Sequence, residues 1–156
     1  MPGTTEGNSR LDQVVAQLKI EGYRLTPQRM AVLKILLESG EHLSAEGIHE
    51  RLKPQFPMTS LATIYKTVAV LKEMGEVLEL SFGREGSLYD GKRPDPHPHL
   101  ICVRCRTVID PELDLLDGVS QELTRATGYQ LLSHRLEFYG ICPTCQQAEN
   151  DRNSHP

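Results

Sequence analysis

Tryptophan is absent from this 156-residue chain, and aromatic residues make up only 5% of it. The core must therefore be aliphatic and modest, and a small part of such a chain gains from a metal clamp. An excess of positive charge is lacking too. The formal net charge is −4, with 10 Lys and Arg against 12 Asp and Glu in residues 1–90, and 7 against 9 in residues 91–156. That argues against a protein that coats nucleic acid by bulk charge. It leaves room for a sequence-specific binder with local basic clusters. No apolar run approaches the length of a membrane span. Met1–Ser9 has no basic head followed by an apolar stretch, so no signal peptide is expected; a cytoplasmic location without a membrane partner is the expectation. Internal repeats and low-complexity tracts are missing outside two polar tails, 1–9 and 147–156, expected to be flexible.

Cysteine is scarce but ordered. The four cysteines fall as two identical pairs, Cys102-Val-Arg-Cys105 and Cys142-Pro-Thr-Cys145. Two intervening residues let both thiolates of a pair turn onto one cation, and two such knuckles supply the four sulfurs of tetrahedral Zn²⁺. A redox site of the thioredoxin type needs one pair at a helix start, not two, and disulfides belong mainly to secreted chains. A structural Zn(Cys)₄ site is the favoured reading. The long gap between the pairs requires a helix and a strand between the knuckles.

The chain changes character near residue 90. Before it the pattern is helical. Leu11, Val14, Val15 and Leu18 recur at helical spacing up to Gly22. Thr26 caps a second helix with Pro27 in its first turn and a stripe of Val32, Leu33, Leu36 and Leu37. Ser44 opens a third helix through Ile48 and Leu52, closed by Pro54 and Pro57. Thr59–Gly75 reads as a fourth, with Leu61, Ile64, Val68 and Leu71 inward and Ser60, Thr63, Lys66 and Thr67 outward. Val77–Phe82 alternates like a strand, Gly83–Gly86 turns it, and Ser87–Asp90 returns. Helices followed by a two-stranded ribbon is the order of a winged helix-turn-helix.

After a proline-rich linker, 92–96, the pattern is mixed. Strands are expected at His99–Val103 and Thr107–Ile109. A helix marked by Leu113, Leu116, Val119 and Leu123 ends near Gly128, and Leu132, His134, Leu136 and Phe138 alternate along a last strand. The expected class is α+β, an N-terminal winged helix-turn-helix (1–91), a hinge (92–96) and a C-terminal α/β domain (97–156).

The outer face of the fourth helix suits a DNA major groove. Ser60, Thr63 and Lys66 reach phosphates and base edges, while Ala62 and the Tyr65 ring meet thymine methyl groups. Arg84 would sit at the tip of the wing, and Arg24, just before the Thr26 cap, could enter a minor groove. The plain alternative is a solvated helix and hairpin. A second set of donors surrounds the first knuckle. His97 and His99 are two apart, so on an extended segment both point to one side and can take one cation. Asp90 lies upstream, Asp110 downstream, and His42 in the other half. His49 and His155 read as exposed. A metalloenzyme using two histidines and a carboxylate on an open metal is the alternative of another class.

On Gly22-Tyr-Arg-Leu-Thr-Pro-Gln-Arg29, Thr59-Ser-Leu-Ala-Thr-Ile-Tyr65, His97-Pro-His99-Leu-Ile-Cys102-Val-Arg-Cys105 and Tyr139-Gly-Ile-Cys142-Pro-Thr-Cys145, the chain resembles the Fur family of metal-dependent bacterial repressors over about residues 11–146. The resemblance implies an N-terminal winged helix and a C-terminal dimerisation domain, a homodimer whose sheets join, and a double-stranded DNA partner with an AT-rich inverted repeat. No catalytic residue and no small organic substrate are implied. The family's regulatory site matches His42, Asp90, His97, His99 and Asp110. Iron-uptake members usually carry Glu at both carboxylate positions, whereas the peroxide-sensing PerR branch carries Asp at both, as here. Zinc-uptake members usually place Cys at the position of Asp90. The implied cofactors are structural Zn²⁺ and regulatory Fe²⁺ or Mn²⁺, with Zn²⁺ able to occupy the regulatory site in vitro. His42 and His97 are the implied targets of peroxide oxidation. A further metal site of some members would use His and Asp where this chain has Pro96 and Pro98; only Asp117 and His134 match its remainder, so a full cage is not expected. An iron-responsive repressor without peroxide sensing is the nearer alternative.

Overall fold

The computed structural model describes residues 5–91, 95–113 and 116–154. The chain divides into two compact units, Met1–Pro94 and Asp95–Pro156. Of the linker expected at 92–96, residues 92–94 lie outside the described residues.

The first unit contains α1 (Thr5–Ile20), α2 (Pro27–Glu38), α3 (Ala45–Leu52), α4 (Leu61–Glu73) and a ribbon of β1 (Leu78–Ser81) and β2 (Ser87–Asp90). Three of these helices start on a hydroxyl cap. Thr26, Ser44 and Ser60 each accept from the backbone N–H three residues on, satisfying a donor that the first turn leaves orphaned. The caps fix the phase of each apolar stripe. Val32, Leu33, Ile48, Ile64 and Leu71 are wholly buried, each contributing about 1.5–3 kcal/mol of hydrophobic stabilisation. The ribbon is antiparallel, with Leu78 opposite Asp90 and Ser81 opposite Ser87, and a 3-10 turn at Gly83–Glu85 forms its tip. Gly91 follows β2 where the chain presses on α2. A Cβ there would lie 2.6 Å from the Leu36 carbonyl oxygen, so only glycine fits without displacement.

Two inward and outward assignments on α4 are exchanged. Leu61, expected inside, is 36% exposed, and Thr67, expected outside, is 6% exposed. Thr67 can be buried because its hydroxyl donates to the Thr63 carbonyl at 2.8 Å, one turn back, and so carries no unmet polar group inward. Leu61 is the first helical residue after the cap and lies at the rim of the unit.

The second unit contains β3 (Pro98–Cys102), β4 (Val108–Ile109), α5 (Leu116–Thr127), β5 (Leu136–Gly140) and α6 (Pro143–Asn153). Its sheet has the order β4-β3-β5, with β4 antiparallel and β5 parallel to β3. A helix and a strand do lie between the two cysteine pairs. The last strand begins at Leu136, so Leu132 and His134 fall outside it, and Leu132 is 88% exposed. The C-terminal tail expected from 147 is helical through Asn153, and the N-terminal one is helical from Thr5. α6 is polar on all sides, so no apolar period announces it; Cys142 as cap and Pro143 at the first position start it. His155 lies outside the described residues.

Candidate metal centres and nucleic-acid face

The four sulfurs converge because each knuckle sits at the end of a strand. Cys102 ends β3 and Cys105 lies in the turn after it; Cys142 follows β5 and caps α6, whose first turn carries Cys145. All four sulfur atoms lie within 4.8 Å of one another, and Cys105 Sγ is 3.7 Å from Cys142 Sγ. That is far beyond the ~2.05 Å of a disulfide. It matches the roughly 3.8 Å edge of a tetrahedron with metal–sulfur bonds of about 2.3 Å. The Cys142 N–H donates to Cys102 Sγ at 3.4 Å, and Thr107 Oγ1 lies 3.1 Å from Cys105 Sγ. The Cys142 N–H, joined by those of Cys105 and Arg104, holds the Cys102 thiol at about 6. The Cys142 thiol, followed by burial, pushes Cys145 up to about 12. Four sulfurs sharing so little space cannot all carry charge without a cation. Arg104, between the first two cysteines, pairs with Glu149 on α6 and ties the knuckle to that helix.

The nitrogen and oxygen donors form one set in each unit. In the first, an isolated bridge joins Leu43 to Tyr89 through two backbone hydrogen bonds of 3.1 and 2.7 Å. Antiparallel pairing then sets His42 beside Asp90, with His42 Nε2 3.5 Å from Asp90 Oδ2 and both side chains at least nine-tenths buried. In the second, His97 and His99 flank Pro98 and share one side of the chain, ring centroids 4.4 Å apart. β4 pairs Ile109 with Leu100, which brings Asp110 alongside. His97 Nε2 is 3.5 Å from Asp110 Oδ2, and His99 Nε2 is 3.6 Å from Asp110 Oδ1. The His97 Nδ1 atom, 2.7 Å from the Asp95 carbonyl, donates to it, which leaves Nε2 as the lone-pair nitrogen. Separations of this size are long for direct hydrogen bonds but suit edges of about 3.0–3.5 Å around a cation bound at roughly 2.1 Å. Imidazole and carboxylate donors fit Fe²⁺, Mn²⁺ or Zn²⁺.

The remaining sites are more uneven. His134 is exposed in the segment before β5, and the Asp117 side chain lies outside the described residues.

On the nucleic-acid face, Ser60, Ala62, Tyr65 and Lys66 are exposed on α4, with Thr63 half-buried. The Ser60 hydroxyl is 3.2 Å from that of Thr63 and accepts its N–H, so both hydroxyls are engaged in the cap. Tyr65 Oη donates to Glu46 Oε1 at 3.4 Å. Arg84 stands exposed at the ribbon tip. A groove of about 630 Å³ brings Arg24, Thr26, Ser60, Thr63 and Lys66 together and adds Arg29, which is not among the DNA-facing residues expected from sequence. Arg29 donates to the Arg24 carbonyl at 2.7 Å, and its place in the Thr-Pro-Gln-Arg cap was the signal available. His49, read as exposed, is half-buried, with Nε2 2.8 Å from the Thr59 carbonyl; it moors the loop that leads into α4.

Residues 20–139 match the model of the ferric uptake regulator family. The chain belongs to this family. The peroxide-responsive repressor PerR of Staphylococcus epidermidis is 37% identical over 140 residues, 90% of this chain and 93% of that protein. The peroxide operon regulator of Bacillus subtilis is 39% identical over 140 residues, 90% of this chain and 96% of that protein. Among solved structures, the ferric uptake regulator Fur of Helicobacter pylori, described with three functional metal-binding sites, superposes with a TM-score of 0.79 at 25% identity, covering 94% of this chain and 97% of that one. Family membership makes the winged helix and its ribbon the DNA-binding half and the α/β unit the dimerisation half.

Proposed function

We propose that this chain is a metal-dependent transcriptional repressor that responds to peroxide, acting in the cytoplasm as a homodimer on double-stranded DNA with an AT-rich inverted repeat. The observation that carries the reading is the separation of donor types. The sulfur set is complete by itself and leaves no open position, which suits a structural Zn²⁺. The nitrogen and oxygen donors are divided, His42 and Asp90 in one unit and His97, His99 and Asp110 in the other. On this reading one Fe²⁺ or Mn²⁺ ion is held by all five residues and fixes the angle between DNA-binding and dimerisation halves. That angle sets the spacing of the two α4 helices, near one DNA turn or a multiple of it. The ion thereby selects the DNA-competent state.

Dimerisation is supported by what the second unit leaves uncovered. Val119 and Leu123 on α5 are 52% and 48% exposed. Leu100, Ile109 and Phe138 stand in register across the sheet, exposed to 38%, 52% and 44%. For DNA, Arg24, Arg29 and Lys66 line one groove and offer phosphate contacts, while Ala62 and Tyr65, exposed on α4, would meet base edges.

The peroxide response rests on the PerR relatives and on Asp at both carboxylate positions. All four cysteines are drawn into the sulfur cluster, so no separate thiol is left as sensor. A bound Fe²⁺ would supply one electron to H₂O₂, leaving hydroxide and a hydroxyl radical. That radical would add to a ring carbon of His42 or His97, whose C–H hydrogen leaves as a proton while the extra electron returns to the iron, and the oxidised imidazole is a poorer ligand. A gel shift on AT-rich inverted repeats tests the reading: retardation with Mn²⁺ or Fe²⁺, none under chelation, and loss after H₂O₂ in the Fe²⁺ form alone. Equal binding under chelation would remove the metal switch, and an Fe²⁺ complex that survives H₂O₂ would leave an iron-responsive repressor.

A further inference from the structure

We propose that Glu137 is a positioning residue for the regulatory cation, acting through His99; this rests on the metal reading above. β5 runs parallel to β3 with Glu137 opposite His99. Parallel strands lie about 4.8 Å apart, and directly paired residues share a face of the sheet, so a carboxylate is rooted beside the imidazole. The rest of β5 is of another kind: Leu136, Phe138 and Tyr139 carry apolar bulk. A charged group with only 18% of its side chain exposed costs desolvation unless its surroundings repay it.

The surroundings hold the carboxylate in place. Residues two apart on a strand share a face, and both neighbours at that spacing bind Glu137. Arg135 Nε donates to Oε1 at 2.5 Å, and the Tyr139 hydroxyl donates to Oε2. Burial pushes the Glu137 carboxyl up, but these two hydrogen bonds outweigh it and hold it below the ordinary range. Both oxygens are engaged, which holds the carboxylate in this orientation. What it supplies is fixed negative charge behind a ligand ring. His99 presents Nε2 toward Asp110. A carboxylate beside a ligating imidazole steadies the ring and favours its cation-bound form, and loss of such a partner typically weakens metal affinity about 10–100-fold.

The test uses the full-length, zinc-loaded protein with Mn²⁺ as probe, its affinity measured by electron paramagnetic resonance. Glu137→Gln keeps the size, removes the charge and leaves one acceptor oxygen for Arg135, with the amide nitrogen donating to the Tyr139 hydroxyl. It should bind Mn²⁺ about 10–100-fold more weakly, with zinc content, dimer mass and melting temperature of the Mn²⁺-free protein unchanged. Glu137→Asp keeps the charge and should recover most of the affinity. The visible spectrum of the Co²⁺ form should change in Glu137→Gln, a signature that a role confined to the sheet would not move. Wild-type affinity in Glu137→Gln overturns the proposal and leaves the metal reading intact. Two variants that both fail to fold overturn it in favour of a structural carboxylate. Wild-type protein that binds no Mn²⁺ beyond its zinc overturns both this proposal and the reading beneath it.

Discussion

Gly91 shows how one missing side chain can hold a ligand in place. It follows Asp90 directly, and a methyl group there would meet the Leu36 backbone oxygen at 2.6 Å. Arg10 reinforces the contact by donating to the Gly91 carbonyl, so the chain after Asp90 is pinned from two sides. Gly91→Ala must push β2 off α2 and should cost about 1–3 kcal/mol, the usual penalty of overpacking. Gly118 on α5 makes the contrast. A Cβ there meets nothing within 4 Å. Gly118→Ala should stabilise by about 0.5–1 kcal/mol, the helix propensity difference. Urea unfolding of the two variants beside wild type checks both signs; equal shifts in one direction would refute the contact argument.

At the scale of the element, α4 is the one whose chemistry faces outward. Lys66 is a point charge at the groove that also holds Arg24 and Arg29. On the DNA reading, Lys66→Ala should weaken binding by a similar factor on every sequence and lower the slope of log affinity against log salt by about one. Ala62→Asp should instead abolish binding to the preferred site at every salt concentration, since it sets a carboxylate against base edges. Binding isotherms at several salt concentrations separate the two. α4 also marks what a sequence can and cannot tell. Ser60 as cap and the run Ile64, Val68, Leu71 were readable, because a hydroxyl followed by a helical apolar period has a physical meaning without tertiary context. Thr67 was not, because its burial depends on a hydrogen bond formed back to Thr63 only once the helix exists. α6 escaped for the opposite reason: a helix polar all round has no period to read. β5 is shorter than its pattern suggests because alternation from Leu132 to Phe138 does not say where pairing with β3 begins.

For the whole molecule, the two donor sets divide labour between holding and switching. The cysteine cluster was fully legible, since the spacing of each pair already states the geometry of a knuckle. The nitrogen and oxygen set was legible as residues but not as pairs. Only the bridge between Leu43 and Tyr89 explains why His42 meets Asp90, and only β4 explains why Asp110 meets the two histidines. His97 is the residue where the two functions would meet. Its ring is held at Nδ1 by the Asp95 carbonyl, so Nε2 faces Asp110 in one orientation. A ring fixed in that way keeps Nε2 toward the donor set and would stay beside a cation held there. Oxidation should therefore be confined to ligand histidines and spare His49, whose Nε2 is engaged with Thr59 in the same unit as His42. Mass spectrometry after H₂O₂ treatment of the Fe²⁺ form should find one added oxygen on the peptide of His42 or His97 and none on that of His49. The Mn²⁺ form should show no addition and should keep its DNA complex. Oxygen found equally on all three histidines would mean damage from bulk radicals, and no addition together with retained DNA binding would leave the chain a metal-responsive repressor only.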